Sequence, residues 1–168
     1  MTSASMAADR KRLFARLDEL GIASTTVEHD PMFTVEQSQA LRERIPGAHT
    51  KNLFLTDKDG RVALVVAKDE TRVELKLVAS RLGFGRLSFG NAELLAELLG
   101  VAPGSVRPFA LINDCEARVT VVVDESLLLF ADVNCHPLEN TATTRLATAD
   151  LMRFIRACGH KPFVLPLS

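Results

Sequence analysis

The sequence predicts a single α/β domain with a mixed, largely antiparallel sheet flanked by helices. Three observations carry that prediction. Short apolar or β-branched runs alternate with segments of helical period along the whole chain. Turn signals of hairpin type, Asp57-Lys58-Asp59-Gly60 above all, join runs that must then pair antiparallel, because parallel neighbours need a crossover. Finally, 168 residues with 47% apolar content suffice for one continuous core, and leave little room for two domains of ~100–200 residues each.

A first helix is predicted from about Ala8 to Leu20, where Leu13, Leu17 and Leu20 recur at i, i+4 and i+7 before Gly21. Thr25-Thr26-Val27 follows as a short strand ending at His29-Asp30-Pro31. Thr34 then caps a helix from Val35 to Arg44, with Glu36 in its first turn. Lys51–Thr56 and Arg61–Ala67 are the two strands of the hairpin. Val73–Leu82 has helical spacing and stops at Gly83-Phe84-Gly85, while Asn91 caps a helix through Leu99 that Gly100 closes. After the Pro/Gly-rich stretch Val101–Pro108, the run Phe109–Ile112 predicts a buried strand. Val119–Val123 and Leu127–Ala131 predict strands joined at Asp124-Glu125-Ser126, and Thr141–Leu146 predicts another after the His136-Pro137 turn. Thr148 caps a last helix, Ala149–Cys158, for a total of six or seven strands and five helices.

Net charge is −1, so the basic excess of a general nucleic-acid binder is absent, and contact with RNA would have to use a local patch. Without Trp or Tyr, stacking on a base falls to Phe or His. The three cysteines, Cys115, Cys135 and Cys158, are widely spaced and form no C-x-x-C pair, which fits reduced thiols in a cytoplasmic protein. The segment 1–8 lacks the apolar core of a signal peptide, and runs such as Ala63–Ala67 fall far short of the ~20 residues that span a membrane. No Gly-rich turn follows a strand as in a P-loop or dinucleotide site, and neither a G-x-S-x-G elbow nor a His-x-x-x-His pair is present.

Four places could carry chemistry. Lys51-Asn52 lies where a loop enters the apolar strand Leu53-Phe54-Leu55. Its lysine is either a solvated charge or a cation at the rim of the interior, poised for an anionic ligand. His136 lies in a turn between strands, structural or placed for proton transfer near neutral pH. Gly100 to Gly104, with Pro103 between, is either a helix stop and turn or a bare loop that a small substrate approaches closely. Phe33-Thr34 is a plug and cap, or one wall of a pocket.

Five segments in order resemble the YbaK/prolyl-tRNA synthetase-associated editing superfamily, in its stand-alone alanyl-specific branch (PrdX or ProX-ala). They are Pro31–Glu36, Thr50–Leu55, Gly100–Phe109, Leu111–Asp114 and His136–Thr141, within a similarity from about residue 10 to 165. The resemblance implies hydrolysis of a mischarged aminoacyl ester at the acceptor end of tRNA(Pro), with alanine as the amino acid and neither metal nor cofactor. It implies Lys51 as the basic residue near the terminal adenosine, with Asn52 and His136 fixing the ester and the amino acid. Phe33, Thr34, Gly100, Pro103, Gly104, Asn113 and Asp114 are implied as substrate-binding. The Gly100–Pro103 stretch matches the family's Gly-x-x-x-Pro loop with one residue fewer, and His29 is assigned no catalytic role because Asp30 separates it from Pro31. A Cys-tRNA(Pro) deacylase and a non-catalytic tRNA- or synthetase-binding module are the rival readings. A transient contact with prolyl-tRNA synthetase stays open, and so does the place of Lys68, Arg72, Lys76, Arg81 and Arg86, on an acceptor stem or on a solvated helix face.

Overall fold

The computed structural model describes residues 3–29, 40, 45–102, 106–114, 116–135 and 142–168, with side chains from Arg10 onward. Helix α1 (Ser3–Glu19) leads into β1 (Ser24–Glu28), then β2 (Ala48–Thr56) and β3 (Val62–Lys68). Helix α2 (Leu75–Leu82), β4 (Ser88–Phe89) and α3 (Ala92–Leu99) follow. A 3-10 helix (Pro108–Asn113), β5 (Val119–Asp124) and a second 3-10 helix (Glu125–Leu129) precede β6 (Asp132–Cys135) and β7 (Ala142–Ala147). Helix α4 (Thr148–Ala157) and β8 (Phe163–Leu165) complete the chain.

Eight strands form one mixed sheet in the order β1-β7-β6-β2-β3-β5-β8, with β4 also on β2. The β2–β3 hairpin pairs antiparallel from Thr50↔Lys68 to Thr56↔Val62. Both faces of β3 are covered, so Val62 to Ala67 are all buried. Val62, Leu64 and Val66 face a large cluster with α1, α3 and α4, while Val65 and Ala67 face a smaller one with Leu55 and α2. Leu13 and Leu17 of α1 are buried in the large cluster, as their spacing predicts.

The hairpin, the Thr-rich strand and α3 form where the sequence puts them. Asn91 caps α3 by accepting from the Leu94 N–H at 2.8 Å, and Gly100 closes it in the left-handed region. Four expectations are corrected. The run Phe109–Ile112 is a 3-10 helix: all-buried apolar runs do not separate strand from helix, and Pro108 at the first position favours helix. Leu127–Ala131 is not a strand either. The Asp124 carboxylate accepts from the Ser126 N–H at 3.0 Å and winds a 3-10 turn there, so the strand begins only at Asp132. Thr148 does not cap α4 but donates its hydroxyl to the Phe130 carbonyl at 2.7 Å. Helix α1 begins at Ser3, five residues before Ala8. The predicted helix 35–44 lies outside the described residues except for Ala40, and the short strands β4 and β8 carry too few residues for a periodic signal.

Candidate active site

Strand β2 changes partners along one edge. Opposite β3 it pairs with β6 at Ala48↔Val133 and His49↔Asn134, and with β4 at Leu55↔Phe89 and Thr56↔Ser88. Between these contacts, from Thr50 to Phe54, no described strand lies on that edge. Lys51 and Asn52 sit in this opening. Because successive strand residues point to opposite faces, they do not share a side. Asn52 stands directly across from Val66 on the face of the large cluster, while Lys51 shares the face of Leu53 and Leu55, toward α2. A ligand can meet both only at the open edge.

Each brings an unmet requirement. The half-buried Lys51 has no carboxylate within ion-pair distance among the described residues. The Asn52 Oδ1 is buried and has no hydrogen-bond partner among the described residues. Leaving such an acceptor unpaired costs about 1–3 kcal/mol, so it is a place where a donor would be welcome.

The end of β6 closes one side of the opening. The Thr50 hydroxyl lies 2.8 Å from the Asn134 carbonyl and 3.7 Å from Cys135 Sγ. Asn134 is buried and its Nδ2 donates to the carbonyls of Pro46 (3.0 Å) and Ala48 (3.2 Å), which fixes the entry of β2. Burial pushes the Cys135 thiol up to about 12, against the Thr50 hydrogen bond and the positive charge of Arg107, so it is not a nucleophile near neutral pH. Thr50 lies in a segment the sequence singles out, and Cys135 is noted there as a thiol, but neither they nor Asn134 are assigned a place at the site from sequence. For Asn134 and Cys135 the signal, the segment before His136, was hidden by the strand expected too early at Leu127–Ala131.

The other predicted site residues fall into two groups. His136, Phe33, Thr34, Pro103 and Gly104 lie outside the described residues. Gly100, Asn113 and Asp114 gather at the junction of α3 with the first 3-10 helix. Asn113 Nδ2 donates to the Leu99 carbonyl at 2.9 Å, its Oδ1 accepts from Arg12 of α1, and a Cβ on Gly100 would stand 3.2 Å from that Nδ2. Asp114 is buried and accepts from Arg118 N–H (3.1 Å), Val119 N–H (2.9 Å) and His160 Nε2 (2.8 Å). These bonds are internal, and they tie α1, α3, β5 and the chain after α4 together. The written Gly-x-x-x-Pro spacing occurs one step along, from Gly104 to Pro108, where Pro108 opens the 3-10 helix.

The family description "Aminoacyl-tRNA editing domain" matches residues 29–154, three quarters of the chain and all of this opening. The chain belongs to that family. It is 39% identical over 158 residues to the prolyl-tRNA synthetase associated domain-containing protein 1 of Danio rerio, covering 93% of this chain and 86% of that one. To the prolyl-tRNA editing protein ProX of Acetoanaerobium sticklandii it is 37% identical over 152 residues, covering 90% and 93%. A crystal structure described as a candidate trans-editing enzyme for prolyl-tRNA synthetase superposes with a TM-score of 0.71 over 95% of this chain and 98% of that one. At 21% identity this last likeness speaks for the fold. No helix among the described residues is long and apolar enough to cross a membrane.

Proposed function

We propose that this editing domain is a trans-acting deacylase that hydrolyses Ala-tRNA(Pro). The observation that carries the reading is the edge of β2 along which no described strand lies, where a cation and a buried acceptor, both without a partner among the described residues, flank one slot. An aminoacyl-adenosine end offers the complement of both: phosphate and a developing oxyanion for Lys51, and an α-ammonium donor for Asn52. The prolyl-tRNA editing named in the ProX relative supports the choice of tRNA.

The ester is already activated, so orientation and charge stabilisation are the main requirements. Water adds to the ester carbonyl carbon, and the carbonyl oxygen takes up negative charge, which Lys51 offsets. The bond from that carbon to the ribose 3′ oxygen then breaks and releases free alanine. The proton lost by the water reaches the departing 3′ oxygen, with the neighbouring 2′-hydroxyl of the substrate positioning the water. His136, next in sequence after Cys135, completes the proposed set with Asn52, fixing ester and amino acid. Editing is needed because a site built for proline discriminates against a smaller side chain by only ~10–200-fold. A slot sized for a methyl group rejects proline.

The test is a panel of mischarged tRNAs followed for loss of the amino acid. Rapid loss of alanine from tRNA(Pro), with Pro-tRNA(Pro) spared, is the expected result. Survival of Ala-tRNA(Pro) for as long as in buffer would end the reading, and faster loss of cysteine would transfer the substrate to Cys-tRNA(Pro).

A further inference from the structure

We propose that the cleft between α2 and the loop 83–87 is a second subsite, which holds a nucleotide of the single-stranded 3′ end of the tRNA away from the β2 opening. The inference rests on the deacylase reading above. The cleft encloses about 740 Å³ and is lined by Leu75, Lys76, Ala79, Phe84, Arg86 and Leu87. That is the size of a small-ligand site, which spans roughly 300–1,000 Å³. Buried Ala79 and Leu87 contribute its apolar lining, exposed Lys76 and Arg86 bring two positive charges, and no carboxylate among the described residues lines it.

The wall at Phe84 is set in advance. The Arg61 guanidinium lies over the Phe84 ring, 4.8 Å from its centroid, and its Nη1 donates to the Gly83 carbonyl at 3.2 Å. Arg61 is itself fixed by Asp57, whose carboxylate accepts from Arg61 Nε at 2.8 Å and from the Gly85 N–H at 3.1 Å. A buried carboxylate in the hairpin turn thus holds both the loop and the aromatic ring, so binding need not order them. In a chain without Trp or Tyr, a fixed Phe with cations beside it is a stacking platform that accepts any base.

Position favours RNA over an acidic peptide. Lys51 and Leu55 share one face of β2, about 13 Å apart at 3.3 Å per residue, and Leu55 packs in the same cluster as Ala79 and Leu87, which line the cleft. The cleft therefore lies on the Lys51 side of the sheet, toward the far end of β2. A strand of RNA leaving a terminal adenosine at Lys51 along this face spans the β2 part of the path with about four nucleotides stacked at 3.4 Å each, fewer when extended. An acidic peptide would use Lys76 and Arg86 but has no need of the apolar lining.

The test uses the double variant Lys76→Glu with Arg86→Glu, both exposed and outside the β2 opening, and Phe84→Leu as a charge-neutral companion. Affinity is measured for uncharged tRNA(Pro), intact and with its single-stranded 3′ end removed, across a salt series. The wild type should lose affinity when the 3′ end is removed. The double variant should bind intact tRNA about 10-fold more weakly, show no further loss on removal, and have a salt slope lower by about 1.4 (0.7 for each of two phosphates). Phe84→Leu should weaken binding about 5-fold or more at an unchanged salt slope. Hydrolysis of the alanyl ester of adenosine should be unchanged in the double variant. Wild-type affinity in the double variant would overturn the inference, as would an equal loss with and without the 3′ end. Normal RNA binding with lost binding to prolyl-tRNA synthetase would overturn it in favour of an acidic peptide. A wild type that hydrolyses no ester, while the double variant still loses its 3′-end affinity, would sink the deacylase reading and keep the cleft.

Discussion

Asp114→Ala separates a residue that touches substrate from one that holds the fold. In the structure, the Asp114 carboxylate accepts three hydrogen bonds, from two backbone N–H groups of the turn into β5 and from the buried His160. Removing it strands the Val119 N–H and the imidazole inside the protein, where hydrogen bonds to a charged group are worth about 1.5–3 kcal/mol each. The bond from the Arg118 N–H is only part-buried and counts for less. A destabilisation of roughly 3–5 kcal/mol follows from the two bonds that lose their acceptor inside the protein. At 2–4 °C per kcal/mol for a chain of this size, the thermal midpoint should fall by about 6–20 °C. Differential scanning calorimetry reads the midpoint, and deacylation well below it reads KM and kcat. The expected result is a large drop in the midpoint with near-normal kinetics in the surviving folded fraction. An unchanged midpoint with a raised KM would refute the structural reasoning and return Asp114 to the substrate.

Lys51→Ala should reduce deacylation at least 100-fold with a thermal midpoint within a few degrees of wild type, since Lys51 makes no ion pair among the described residues; near-normal turnover would remove Lys51 from the mechanism. Asn52→Ala deletes a buried acceptor that has no partner among the described residues, so stability should hold or rise while KM for the aminoacyl ester increases; a destabilised variant with normal KM would contradict that. At pH 8 the Cys135 thiol should alkylate about 1000-fold more slowly than an ordinary thiol, read by peptide mass mapping, and equal labelling of Cys135 and Cys158 would count against its burial. Burial alone would raise the Asp57 carboxyl, but hydrogen bonds from Gly85, Arg61 and Asp59 hold it below its ordinary range. Its contribution is therefore complete above about pH 4, the unfolded value, and disappears as the pH falls through the lower folded value. Urea midpoints between pH 7 and 2.5 should fall less steeply on acidification in Asp57→Asn than in wild type, and parallel curves would refute the assignment.

The hairpin and α3 were legible because local chemistry decides them: Asp57–Gly60 can only turn, and Asn91 and Gly100 punctuate a helix whatever surrounds it. The runs Phe109–Ile112 and Leu127–Ala131 were not legible, because both are apolar without period, and a proline and a side-chain hydrogen bond settled them instead. At the site, the sequence pointed to Lys51 and Asn52 as neighbours. It could not show that strand alternation separates their side chains, or that no described strand lies along the edge beside them. That depends on where β6 and β4 pair with β2, which is tertiary information. Asn113 and Asp114 carry a motif-like pair of letters, yet their bonds run inward, and no single sequence distinguishes the two uses.

The joint between β6 and β2 has a mechanical consequence. Among the described residues, two residue pairs, with the Asn134 side chain beside them, are the strand pairing that couples the β1-β7-β6 unit to the rest of the sheet. The β1-β7-β6 unit nevertheless shares one apolar core with the rest of the sheet, since Val133, Cys135 and Leu146 lie in the same buried cluster as Leu64, Val66 and Val121. Helix α4 packs on β6 and β7 and adds to that cluster through Leu151, Phe154 and Ile155. The two parts of the sheet are therefore held together more by side-chain packing than by backbone pairing. A cavity-making substitution such as Leu146→Ala should loosen the joint as well as lower the stability.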